Sequence, residues 1–209
     1  MVLQLLTNPD SFFEARREEP SLLRPGLVVL LVAVVGVVGS VPVLQATVSA
    51  LPPEAGPFVT VIQVVGAVFG VVFTLVVWLL YALAFHLVGS VAFDASGEFR
   101  DTLALVGWGY VPAVFGALVG AVANYVVFSG VRFPDDPQAI GAFVQELQSR
   151  PAFLVAGLVG IAFLLWSAFL WTFAVSHAES LDLRESALTV AGPVAVALLF
   201  RLNGIFGVV

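Results

Sequence analysis

Residues 55–93 contain no Asp, Glu, Lys or Arg, and no proline follows Pro57 within that run. Wound as one helix at about 1.5 Å per residue it would be about 58 Å long, more than the core of a water-soluble domain of this size can cover. Four further runs share the property: 25–53, 102–131, 151–178 and 186–209, the last interrupted only by Arg201. A bilayer's hydrocarbon core is about 30 Å thick and takes about 20 apolar residues per crossing. The runs predict an all-α, polytopic transmembrane helix bundle of about five spans, at 25–49, 58–86, 102–129, 151–177 and 187–208. The second is read as a single tilted helix with its ends in the headgroup zones.

Composition narrows the function classes. The chain is 60% hydrophobic and 11% charged, with a mean hydropathy of +1.08, which bilayer burial explains. Its 8 cations are all arginine, and 14 acids leave a net charge of −6. Nothing in that balance supplies a basic surface for nucleic acid. The absence of cysteine excludes disulfides, thiolate nucleophiles, iron–sulfur clusters and cysteine zinc sites. An acidic, lysine-free, Val- and Ala-rich chain suits a salt-loving prokaryote, where carboxylates keep protein hydrated. A GC-rich genome accounts for it equally well.

Arginine is distributed unevenly among the connections, and that bias sets topology. Arg16, Arg17 and Arg24 precede the first span, Arg100 and Arg184 follow the second and fourth, and Arg132 and Arg150 alone fall on the other side. The expectation is a multi-pass protein of the cell membrane with a cytoplasmic N-terminus and an outside C-terminus. Trp78, Trp108, Trp166 and Trp171 then fall in the cytoplasmic halves of their helices, which makes that aromatic belt the heavier one. Arg16-Arg17 is followed by Glu18-Glu19-Pro20 rather than an apolar run, so the first span reads as a retained anchor and not a cleaved leader.

Two short helices are expected beside the spans. In the cytoplasmic segment 1–24, Asn8 and Pro9 suit the N-cap and first position of a helix carrying Phe12 and Phe13 next to Arg16 and Arg17, a pairing suited to an anionic membrane surface. At about 138–149, Ile140, Phe143, Val144 and Leu147 recur at helical spacing, which predicts an amphipathic interfacial helix. Packing on neighbouring spans would account for both equally well.

The two cytoplasmic loops match in type. Glu98-Phe99-Arg100-Asp101-Thr102 aligns with Asp182-Leu183-Arg184-Glu185-Ser186 as acid, apolar, arginine, acid, hydroxyl. Each pentad leads into an apolar helix holding a proline, Pro112 or Pro193, and follows a helix with a histidine near its end, His86 or His177. Equal offsets on one side of the membrane imply a lead helix followed by two helix-loop-helix hairpins, a parallel internal repeat. Acids in a first turn favour the helix dipole, and Asp182 with Glu185 has capping-box spacing. The same residues would also make a paired surface for a cytoplasmic or lipid partner.

Residues able to carry chemistry are few. His86 and His177, with Glu179 or Asp94, form the nearest approach to a metal set, and interfacial histidines explain them without a metal. No H-E-x-x-H, G-x-S-x-G, Walker loop or intramembrane aspartate pair occurs. The expectation is a non-enzyme without cofactors. Arg201 lies inside the fifth run, with Gln63 and Asn124 as polar companions. It either snorkels toward the exit interface or faces protein or a solute path. Gly66 with Gly70, and Gly116 with Gly120, make small-x-x-x-small faces suited to a compact bundle or a homo-oligomer.

The segment Asn8-Pro9-Asp10-Ser11-Phe12-Phe13 stands ahead of the first span. Gly97-Glu98-Phe99-Arg100-Asp101-Thr102-Leu103 runs into Gly107-Trp108-Gly109-Tyr110-Val111-Pro112 at the start of the third. With the order of five spans, these motifs resemble the Yip family of five-span membrane proteins, whose eukaryotic members interact with Rab-type GTPases in vesicle traffic. The chain is similar to a prokaryotic member. The resemblance implies a non-enzymatic scaffold or adaptor in membrane organisation. A small transporter or channel, with Arg201, Asn124 and Gln63 along its path, is the rival expectation.

Overall fold

The computed structural model describes residues 2–49, 56–134 and 136–206. Every element among them is helical. Two short helices, α1 (Val2–Thr7) and α2 (Pro9–Glu14), precede α3 (Leu23–Gly39), α4 (Val41–Ser49) and α5 (Gly56–Phe93). They are followed by α6 (Phe99–Trp108), α7 (Val111–Phe128), α8 (Pro137–Gln148), α9 (Pro151–Glu179) and α10 (Leu183–Phe206). Five segments are long and apolar enough to cross a membrane: Leu23–Val48, Phe58–Phe93, Val111–Phe128, Pro151–Glu179 and Leu183–Phe206. Residues 207 and 208, the end of the expected fifth span, lie outside the described residues.

The boundaries follow local chemistry. Asn8 caps α2 by accepting from the Ser11 N–H at 3.3 Å, and Asp136 caps α8 by accepting from the Gln138 N–H at 2.9 Å. A proline follows each cap, where a missing N–H costs nothing. At α10, Asp182 and Glu185 bond each other's backbone N–H, at 2.8 and 3.2 Å, a reciprocal cap.

The third apolar run departs from expectation. It is not one helix over 102–129, because α6 stops at Trp108 and α7 starts at Val111. Pro112 has no N–H for the Trp108 carbonyl and its ring crowds that oxygen. The chain tightens there, with Gly109 N–H bonding Val106 O at 3.0 Å and Tyr110 N–H bonding Gly107 O at 3.2 Å. In α10 the helix continues through Pro193. The second run is longer than the expected 58–86, since α5 carries on to Phe93.

Packing divides the bundle into a centre and two ends. Val29, Ala82, Phe85, Val106, Trp171 and Val190 form the central core. At one end Leu5, Phe12 and Phe13 join Leu105, Trp108 and Leu170. At the other, Leu147 of α8 sits against Ala46, Val127 and Phe128. Helices stand at both places where short ones were expected, α2 and α8, and each buries apolar side chains against the bundle. Phe12, Phe13 and Leu147 are all 0% exposed. Phe12 packs edge-on to Trp108 with ring centroids 5.2 Å apart, and the Arg16 guanidinium lies 3.6 Å over the Phe12 ring.

The tryptophans depart from a lipid-facing belt for a related reason. Trp171 and Trp108 are buried. The indoles of Trp78 and Trp171 donate to the carbonyls of Leu103 and Val106 at 3.0 and 2.9 Å. A buried indole N–H needs an acceptor, and both indoles find one on the backbone of α6, Leu103 within the helix and Val106 in its last turn. Trp166 alone of the four keeps a large exposed surface.

Candidate functional site

The polar chemistry of the molecule gathers where α5 and α9 end and α6 and α10 begin. Both turns there contain a residue in the left-handed region, Asp94 with φ 51° and Ser180 with φ 57°. The 94–98 turn lies across the end of α9, with Ser96 N–H reaching Glu179 O at 3.4 Å. Gly97 permits the approach, since a Cβ at that position would stand 2.1 Å from the Ala178 carbonyl oxygen.

Beneath this turn Glu179 is fully buried. Its Oε1 lies 2.7 Å from His86 Nδ1 of α5 and accepts the Thr102 hydroxyl of α6. Its Oε2 is buried without a hydrogen-bond partner among the described residues. One carboxylate thus joins α5, α6 and α9. A buried charge is tolerated only when paired and hydrogen-bonded, and here the partners come from helices far apart in sequence.

His177 turns elsewhere. Its Nε2 meets Asp10 Oδ1 at 2.8 Å, which fastens α2 to α9. The two histidines therefore take different carboxylates. No group of three or more His, Asp or Glu side chains able to hold a metal occurs among the described residues.

The pentads surround this cluster. Thr102 and Ser186 are both buried; the Ser186 hydroxyl donates to the Asp182 carbonyl four residues back at 2.7 Å, while that of Thr102, donated to Glu179, lies 3.4 Å from the Glu98 carbonyl. Glu98, Arg100, Asp182 and Arg184 are exposed, while Asp101 and Glu185 are half-buried. Partial burial, then the neighbouring Glu98, raises the pKa of Asp101 above its ordinary range, with Arg100 opposing the shift.

The remaining polar candidates lie apart from these residues. Asn124 donates to the Gly39 carbonyl at 3.1 Å, where α3 gives way to α4. Arg201 lines a cavity of about 410 Å³ in the bundle, and neither Gln63 nor Asn124 lines it. Of the small-residue faces, Gly70 lies 3.4 Å from Val37 and Gly116 lies 3.6 Å from Phe163, measured from an added Cβ. Both are covered from within the chain, whereas Gly66 and Gly120 have nothing that close.

Sequence reasoning did not find the roles of Asp10 and Glu179 as fasteners. The available signal was a lone acid closing an otherwise uncharged apolar run. Its pairing with His86 depends on how the helices are placed, which a linear spacing does not reveal.

The comparison with protein families gives a match to the Yip1 domain over residues 3–202. The chain belongs to the Yip1 domain family. A curated relative, the uncharacterized protein MJ0794 of Methanocaldococcus jannaschii, is 29% identical over 119 residues, covering 56% of this chain and 84% of the relative. No solved structure matches. The Yip1 match takes in α2, both pentads and Glu179, so the buried cluster lies inside the family domain and is not an addition to it.

Proposed function

We propose that this Yip1 domain protein is a non-enzymatic membrane scaffold or adaptor. It presents the Arg100 and Arg184 pentads to a cytoplasmic or lipid partner. The observation that carries the reading is the division of polar groups at this end. Glu179 bonds Thr102 and His86, and His177 separately bonds Asp10, each across helices, while the charged side chains of Glu98, Arg100, Asp182 and Arg184 stay exposed. A catalytic constellation needs a reactive group open to substrate, and Glu179 and Thr102 are fully buried. Exposed arginines suit carboxylate or phosphate recognition by bidentate contact.

In this reading the pentads face the cytoplasm, because they share an end with Arg16, Arg17 and Arg24. Self-association uses the free part of α5, where Gly66 is open and Phe58, Val65 and Phe69 are exposed. The test is a crosslinking pull-down from native membranes with wild type and an Arg100→Glu/Arg184→Glu double variant. Loss of one or more partners from the variant is expected. Identical partner sets would overturn the role of the pentads.

A further inference from the structure

Arg201 stands about 27 Å along α10 from Leu183 and about 8 Å before Phe206, at about 1.5 Å per residue, so its charge lies toward one end of the membrane-spanning part of the bundle, where the residue is exposed. Snorkelling would take the side chain toward the nearer helix end. Instead it reaches across to α9, where Nη1 occupies space that a Cβ on Gly160 would enter, 2.7 Å away. Gly160 is about 14 Å into α9 from Pro151, well below that end of the helix. Among the described residues no carboxylate pairs with Arg201. An arginine at such depth is costly and faces protein or a polar cavity when it serves a function.

The cavity that Arg201 lines is walled by α3, α5, α7, α9 and α10. Along α9 it extends from Ala156 to Trp171, about 22 Å at the helical rise. Its volume of about 410 Å³ is within the range of about 300–1,000 Å³ usual for small-molecule sites. Most of the lining is apolar, and the polar side chains on it are Thr74, Tyr81, Tyr110, Ser167 and Arg201. Tyr110 is only 6% exposed and its hydroxyl has no hydrogen-bond partner among the described residues.

We propose that this cavity binds an anionic amphiphile, a lipid whose acidic head contacts Arg201 and whose acyl chain lies along the apolar wall of α9. A mostly apolar space that runs along α9 and carries a cation without a carboxylate partner suits such a ligand better than a neutral lipid or a bare ion. A neutral lipid leaves the guanidinium uncompensated, and a bare ion leaves the apolar wall empty. The two head chemistries that fit are a fatty carboxylate and a phospholipid phosphate.

The experiment uses the full chain, delipidated in a non-ionic detergent, with radiolabelled palmitate and radiolabelled phosphatidylglycerol in separate scintillation-proximity arms. Palmityl alcohol and inorganic phosphate serve as unlabelled competitors. At least one acidic lipid is expected to bind saturably, and the arm that does so identifies the head. Neither competitor should displace it. Arg201→Leu should weaken binding by about tenfold or more, as expected for loss of a charge-assisted contact. If Arg201→Leu does not give folded protein by size-exclusion and melting, Arg201→Gln and Ala117→Phe, which fills the cavity from α7, take its place with the same expected loss. Absence of saturable binding, undiminished affinity in the folded variants, or displacement by the alcohol or by inorganic phosphate would overturn the proposal.

Discussion

Glu179 ties three helices together through one buried side chain. It accepts from Thr102 and meets His86, so its loss leaves both without that partner. Thr102→Val keeps the shape and removes one donor to a charged acceptor, a change worth about 1.5–3 kcal/mol. Glu179→Ala should cost more, since it also opens a cavity. Melting followed by tryptophan fluorescence in detergent checks the order, wild type above Thr102→Val above Glu179→Ala. Asp101 gives a pH signature. Its pKa is raised in the folded protein, chiefly by desolvation and then by Glu98, from an ordinary value of 3.8. Between those two values the folded state holds the proton more firmly than the unfolded state, so stability falls as pH rises through that window. Arg100 opposes the shift, and Arg100→Gln should therefore be nearly neutral below the window and destabilising above it. The loss should be small, under about 1 kcal/mol, as for other exposed pairs. A melting-point series against pH with an equal loss at every pH would contradict this account.

At the scale of the element, α6 decides most of the packing. It breaks from α7 because Pro112 cannot continue the ladder. Trp78 and Trp171 reach carbonyls of α6 with their indoles, Leu103 within the helix and Val106 in its last turn. Trp171 approaches so closely that a Cβ on Gly109 would stand 2.2 Å from its ring, and one on Gly107 would meet Pro25 at 2.7 Å. Gly109→Ala is expected to destabilise by about 1–3 kcal/mol, the usual cost of overpacking. Gly36→Ala in α3 is the control, since nothing lies within 4 Å of its added Cβ and helix propensity favours Ala over Gly by up to about 1 kcal/mol. Equal melting of the two variants would mean that the Gly109 contact with Trp171 is not tight. The same device sets the α3 to α7 approach, where a Cβ on Gly39 would lie 2.6 Å from Ala121.

For the whole molecule, the five spans and the segregation of charge to two ends follow from hydrophobic length and arginine placement. A reporter fused at the C-terminus should read out on the outside of the cell, and a cytoplasmic signal would reverse the proposed orientation. The number of spans was legible because an apolar run of 20 or more residues has one inexpensive environment, and no tertiary contact is needed to find it. The caps at Asn8 and Asp182 were legible for a similar reason, being local hydrogen bonds over three residues. What tertiary structure alone decided was facing. A spanning helix is apolar all round, so its sequence does not mark which side meets lipid and which meets protein. Phe12 and Phe13 turned inward, Trp171 turned to α6, and His86 and His177 took separate carboxylates. Arg201 turned to Gly160 and the cavity. Each of these depends on which helices adjoin, and that is set by close approach at glycines and by the hydrogen bonds that helix ends leave open.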